Sequence, residues 1–327
     1  MASILPTSPS MSHLSPASNE MPKASITQEI IPATERAHWT RYLPALDGVR
    51  AVAILLVMAH NFNLLENTKS VTGKANELLF NLGWVGVQLF FVLSGFLITN
   101  ILLSTKGSSN YFASFFGRRA LRIFPLYYLA LAGGLIVYPL LSGTSIEGAE
   151  NQVWLWSYLS NWAAPMGQEV GLYPHMWSLA VEEQFYLLWP FLVYFLSRRG
   201  LMRVCLALTA IALVSRIGIR VMDMSPEAAY QFTICRIDAI ALGGVAAMLF
   251  RDLNIVSLFA QKRTLIRITL VVAAVLTFVV TKGAPRIGLL SQTIGYSLWA
   301  IIAAIWVYDV ATSDPRGKLV RALSWQP

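Results

Sequence analysis

Long apolar runs, each bounded by a few charged residues, make up most of the chain from about residue 47 onward. A helix that spans a bilayer needs about 20 largely apolar residues. Against that yardstick eight stretches stand out, near 47–65, 78–103, 123–142, 175–196, 201–220, 228–249, 266–281 and 287–311. All eight read as helices, so the pattern predicts an all-α, polytopic transmembrane helical bundle of about eight spans. Residues 1–40 are rich in Ser, Pro, Thr and Ala and lack an apolar run behind a basic start. They read as a disordered cytoplasmic tail rather than a cleavable signal, which leaves 41–327 as the membrane domain. The aromatic run "VWLWSYLSNW" at 153–162 is too short to span and reads as interfacial. No internal repeat stands out.

Composition agrees with the pattern. Of 327 residues 56% are hydrophobic and 13% charged, with mean hydropathy +0.57, whereas a soluble domain carries about twice that charged fraction. The formal charge of +8 does not point to nucleic acid, because the basic residues gather where apolar runs end and not along a stripe interleaved with aromatics. Their placement sets topology instead. Residues 104–122 carry Lys106, Arg118, Arg119 and Arg122 and no acid, while 143–174 carry Glu147, Glu150 and Glu169 and no base. The excess of Lys and Arg marks the first of these loops as cytoplasmic. Arg198, Arg199 and Arg203, then Arg251, Lys262, Arg263 and Arg267, fall on the same side two and four crossings later. The expected protein is multi-pass in the cell (inner) membrane with its N-terminus in the cytoplasm. Cys205 and Cys235 lie in apolar segments, so neither a disulfide framework nor a zinc site is expected, and no other metal.

Against this background the polar residues inside the spans carry the chemistry. "MWSLAVEEQFYLLWPFLVYF" (176–195) holds two adjacent carboxylates, Glu182 and Glu183, and an ionised group at bilayer depth costs at least about 2.5–3.5 kcal/mol. At about 1.5 Å of rise per residue, His60 lies roughly 15 Å beyond Arg50, and Glu182 about 10 Å in from His175 at the opposite edge. Arg236 and Asp238 reach a similar level in the sixth span, so a histidine, carboxylates and an arginine are expected in one layer. His175, Ser178, Glu182 and Tyr186 share a helix face, and Glu183 points about 100° away. Arg236 and Asp238 face nearly opposite sides, so each needs a partner elsewhere; a glutamate of the fourth span is one pairing open to Arg236. Structural roles stand beside these. His60 fits an interhelical hydrogen bond, Glu182 an ion pair, and Ser94 and Gly95 a helix–helix contact. Arg118, Arg119 and Arg122 fit headgroup anchors.

Five stretches in order, "LDGVRAVAILLVMAHNF", "GWVGVQLFFVLSGFLIT", "RRALRIFPLYY", "HMWSLAVEEQFYLLWPF" and "RIDAIALGG", resemble the membrane acyltransferase 3 family over residues 43–327. The resemblance implies an integral membrane enzyme of about ten helices. Such enzymes move acyl groups, often acetyl, from cytoplasmic acyl-CoA to hydroxyls of envelope sugars, exopolysaccharides, antibiotics or related acceptors. It places the family's intramembrane histidine on His60, its basic partner on Arg50, its RxxR element on Arg119 to Arg122, and its SxxxExxxY element on Ser178, Glu182 and Tyr186. The family usually spaces that arginine and histidine eleven positions apart, on nearly one helix face. Here Arg50 and His60 are ten apart and Asn61 holds the usual histidine position, a rotation of about 80° from the face of Arg50. The chain also stops at "RALSWQP", where the family's last helices would follow, so the domain is expected to be C-terminally truncated.

Attack of a hydroxyl on a thioester needs a base, and histidine titrates near neutrality. His60 is therefore the candidate base, with Glu182 holding its tautomer; direct transfer and an acyl-histidine intermediate both stay open. Guanidinium groups bind phosphates in bidentate fashion, which makes Arg50, Arg118, Arg119 and Arg122 candidates for holding the donor, acyl-CoA (acetyl-CoA above all). Expected partners are the lipid bilayer and a carbohydrate or small-molecule acceptor. The alternative class is a transporter or proton-coupled channel relaying through the same His, Glu and Arg residues, which inverted repeats and broken helices would favour.

Overall fold

The computed structural model describes residues 42–62, 82–144, 146 and 148–324. The expected tail at 1–40, the end of the first expected span at 63–65 and the start of the second at 78–81 lie outside the described residues. Among those described there are helices and turns and no strands. The long helices are α1 (Pro44–Phe62), α2 (Val85–Thr105), α3 (Tyr111–Ala132), α4 (Trp177–Phe195), α5 (Arg198–Val221), α6 (Thr233–Phe250), α7 (Arg263–Val280) and α8 (Tyr296–Thr312). Each of the eight expected spans thus falls on a helix. Six of the helical stretches are long and apolar enough to cross a membrane by length and composition. α1 and α4 fall outside that set because they hold the polar residues: Asp47, Arg50 and His60 in the first, Glu182, Glu183 and Gln184 in the second. The chain is a multi-pass helical membrane protein.

α2 and α6 form the centre. In α2 72% of the apolar window is buried inside the bundle, against 6% in α7, so α7 sits at the periphery, tied to α8 by Arg263 and Arg267 on Asp309. Glycines set the central crossing. A Cβ at Gly95 would collide with the backbone carbonyl of Ile240, and one at Gly243 with that of Val92. Small residues at such a seam let two backbones approach where lipid supplies no hydrophobic drive between helices. α1 lies along another face of α2, with Gly86 against the Ala53 carbonyl and Gly83 against His60. α4 covers a third face, through an edge contact of Phe91 with Trp177 (6.1 Å between centroids) and a hydrogen bond from Trp189 Nε1 to Thr99 Oγ1 at 2.8 Å.

Cations tie the helix ends together at the end of the bundle where α2 finishes. Lys106 Nζ donates to the carbonyls of Val193 and Leu196, both at 2.8 Å. Arg198 donates to the Met248 carbonyl at 2.7 Å, and Arg251 to Asn100 Oδ1 at 3.0 Å and to Ser104. The last carbonyls of a helix have no donor within it, so basic side chains are favoured there. At the opposite end the aromatic run forms two short helices, Val153–Trp156 and Ser160–Ala163. Tyr158 stacks on Tyr127 at 4.2 Å, and Gln184 of α4 donates to the Tyr158 carbonyl at 2.9 Å.

Candidate active site

α1, α2, α3 and α4 enclose a cavity of about 760 Å³. Its α2 wall runs from Phe90 to Thr105, roughly 22 Å of helix rise. The sides are apolar, with Leu46, Leu93, Leu97, Ile101, Ile123 and Leu179 among them. Arg50, Arg119, Arg122, Ser94, Glu182 and Tyr186 supply much of the polar surface.

The polar groups at its floor form one connected chain. Tyr186 Oη donates to Glu182 Oε2 at 3.2 Å, the i, i+4 contact that the helix face predicts, and also meets Ser94 Oγ of α2. Arg119 reaches across from α3. Its Nη2 is 3.9 Å from Glu182 Oε2, its Nε is 3.4 Å from Glu183 Oε1, and its guanidinium carbon lies 3.3 Å from the centre of the Tyr186 ring. A single cation therefore balances two adjacent carboxylates. Glu182 is buried, and its second oxygen, Oε1, has no hydrogen-bond partner among the described residues.

The remaining expected residues are spread through the bundle. Arg50 lines the cavity, paired with Asp47 at 2.7 Å. Arg122 lines it too and is exposed, whereas Arg118 turns away and donates to the Ser114 carbonyl at 3.0 Å. His175 sits exposed in the turn Pro174–Met176, and Ser178 Oγ donates to its carbonyl at 3.3 Å without joining the Glu182 chain. His60 packs at Gly83 and is not part of the cavity lining. Gly83 precedes Ser94 by eleven positions, roughly 16 Å along the axis, so the structure does not bring His60 into the layer of Glu182. The single-layer expectation counted His60 from the cytoplasmic edge at Arg50 and Glu182 from the opposite edge at His175, with no allowance for the stagger of one helix against another. α4 enters lower, with Trp177 already packed on Phe91, which drops Glu182 to the level of Ser94.

Arg236 meets no glutamate of α4. It is fully buried, its guanidinium nitrogens have no hydrogen-bond partner among the described residues, and it lies among Tyr296, Tyr230, Phe91 and Trp177 at 4.5, 5.3, 5.7 and 5.7 Å from their centres. Desolvated cation–π contacts of this kind are worth about 2 kcal/mol or more, so aromatic faces take the place of a carboxylate. Asp238 faces the other way and pairs with Arg216 of α5 at 2.9 Å, both side chains being buried, with Ser297 Oγ donating to the same carboxylate oxygen at 2.9 Å.

Two contributors were not legible beforehand. Arg216 carried no motif, and its position within an apolar helix was the only available signal. Ser94 read as a packing residue beside Gly95; Gly95 does make the close helix contact, while Ser94 turns to the cavity and Tyr186. Among the described residues no three His, Cys, Asp or Glu side chains converge as a metal site.

Fold and site together define a polytopic helical membrane protein with an interior cavity that ends on a carboxylate–phenol–hydroxyl chain. The model of the acyltransferase domain family matches residues 43–321, and the chain belongs to this family of acyltransferases, as its motifs imply. It is 34% identical over 169 residues to peptidoglycan O-acetyltransferase OatA of Listeria monocytogenes, covering 48% of this chain and 25% of that protein. It is 30% identical over 234 residues to O-acetyltransferase OatA of Staphylococcus aureus, covering 66% of this chain and 36% of that protein. The chain thus spans between about a quarter and about a third of the length of these relatives. No solved structure matches it.

Proposed function

We propose that this chain is the membrane-embedded part of an O-acyltransferase that takes an acyl group, acetyl above all, from acyl-CoA and passes it to a hydroxyl of a carbohydrate acceptor. The observation that carries the reading is the cavity itself, apolar along its walls, with Arg50 and Arg122 in its lining and Glu182, Tyr186 and Ser94 at its floor. A thioester arm fits the apolar wall, and CoA phosphates suit guanidinium groups. The names of the relatives point to acetyl and to peptidoglycan. In this reading the end bearing Arg198, Arg251 and Lys106 faces the cytoplasm of the cell membrane, where the positive-inside rule puts it and where acyl-CoA is found.

Proton transfer at the cavity is assigned to Glu182, acting through Tyr186. Arg119 holds the carboxylate in place and balances its charge when the proton leaves. His60, the base that the motif resemblance implies, sits at Gly83, so the two assignments separate by experiment. Purified detergent-solubilised protein is given acetyl-CoA, and free thiol is followed for wild type, Glu182→Gln and His60→Ala. Loss of a catalytic base lowers a rate by about 10²–10⁴, and that loss is expected in Glu182→Gln with His60→Ala within severalfold of wild type. Loss in folded His60→Ala, with Glu182→Gln unaffected, returns the base to the histidine.

A further inference from the structure

We propose that Ser94 is the nucleophile that carries the acyl group between donor and acceptor as an O-acyl-serine; this rests on the cavity being the acyl-CoA site. Ser94 is a partly exposed residue of the cavity lining, and its Oγ hydrogen-bonds Tyr186 Oη, which donates to Glu182 Oε2 at 3.2 Å. A hydroxyl nucleophile is weak until a neighbouring base takes its proton, and the recognisable arrangement is nucleophile, base and a third group that orients the base, all within hydrogen-bond reach. Here Ser94 and the Tyr186–Glu182 pair, from α2 and α4, lie within that reach, and Arg119 of α3 stands 3.9 Å from Glu182 as its ion-pair partner. The backbone position is rigid. The neighbouring Gly95 packs against the Ile240 backbone of α6, and Val92 two positions before Ser94 against Gly243, so Ser94 is held on a stretch of α2 that cannot shift without opening the central helix pair.

In the first step Ser94 Oγ bonds to the thioester carbonyl carbon and the carbon–sulfur bond breaks. The serine proton passes to Tyr186 as the tyrosine proton moves to Glu182, and the departing thiolate is protonated from Glu182 to give free CoA thiol. In the second step an acceptor hydroxyl attacks the serine ester, loses its proton along the same chain, and Ser94 regains a proton as the new ester leaves. No oxidant, metal or further co-reactant enters either step.

The test uses the full chain in detergent with radiolabelled acetyl-CoA and no acceptor, followed by denaturation and peptide mapping by mass spectrometry. Wild type is expected to hold one hydroxylamine-labile acetyl on the peptide containing Ser94. Ser94→Ala is expected to lose both the label and the burst of thiol, while Ser94→Cys keeps the label as a more labile thioester. Label on His60 or Tyr186, or thiol release at the wild-type rate from Ser94→Ala, overturns the serine and leaves the acyl-CoA reading standing. Absence of thiol release from folded wild type overturns the acyl-CoA reading and the serine with it.

Discussion

Replacing Asp238 by alanine should damage the fold more than any other single loss of a carboxylate. Asp238 and Arg216 are 1% and 0% exposed at the side chain and 2.9 Å apart. The guanidinium also donates to Ser297 Oγ at 2.6 Å and to the Cys235 carbonyl. Removing the carboxylate leaves Arg216 charged and buried with only neutral acceptors among the described residues. Breaking a buried pair by removing one partner costs about 3–5 kcal/mol. At about 2 °C per kcal/mol for a chain of this size, Asp238→Ala should melt roughly 6–10 °C below wild type. Thermal unfolding in detergent, followed by tryptophan fluorescence, measures this directly. The double variant Arg216→Met with Asp238→Leu removes both charges and should recover most of the loss, since apolar replacement of a whole buried pair is often neutral or better. A shift below about 2 °C in Asp238→Ala, or a double variant as unstable as the single one, would refute the argument.

Two further outcomes follow from the geometry. Arg122 is an exposed lining residue, so Arg122→Ala should raise the KM for acetyl-CoA about two- to fivefold, the worth of one exposed charge contact, with kcat little changed; an unchanged KM would remove it from phosphate binding. Gly243→Val should yield little monodisperse protein on size exclusion, because any Cβ there strikes the Val92 carbonyl, whereas Gly133→Ala, with nothing within 4 Å, should elute as wild type; equal behaviour of the pair would mean that α2 and α6 can separate without penalty.

Much of the candidate site was legible as a set of residue types. Glu182 and Tyr186 are joined as their i, i+4 spacing requires, and Arg119 lies beside them. Its partners were less legible. The pairing of Arg236 with an α4 glutamate was open in the sequence, and what α4 brings to Arg236 is the Trp177 ring. Arg119 on α3 answers the glutamates in its place. Ser94 read as a helix–helix contact because a serine beside a glycine has the same local signature whether it packs on a helix or faces a cavity.

That the chain is helical and membrane-embedded, where its helices run, and that ionisable groups lie within them could all be read from residue order alone. Lipid offers no hydrogen bonds, so each spanning segment must satisfy its own backbone, and that requirement is local enough to be written in every run of about 20 residues. Which ionisable groups meet depends on how the helices pack in three dimensions. The stagger of α4 against α2, and the backbone contact at Gly95 and Gly243, place Glu182 level with Ser94 and well away from His60. Stagger depends on how side chains from separate helices fit together, and no periodicity within one helix records it.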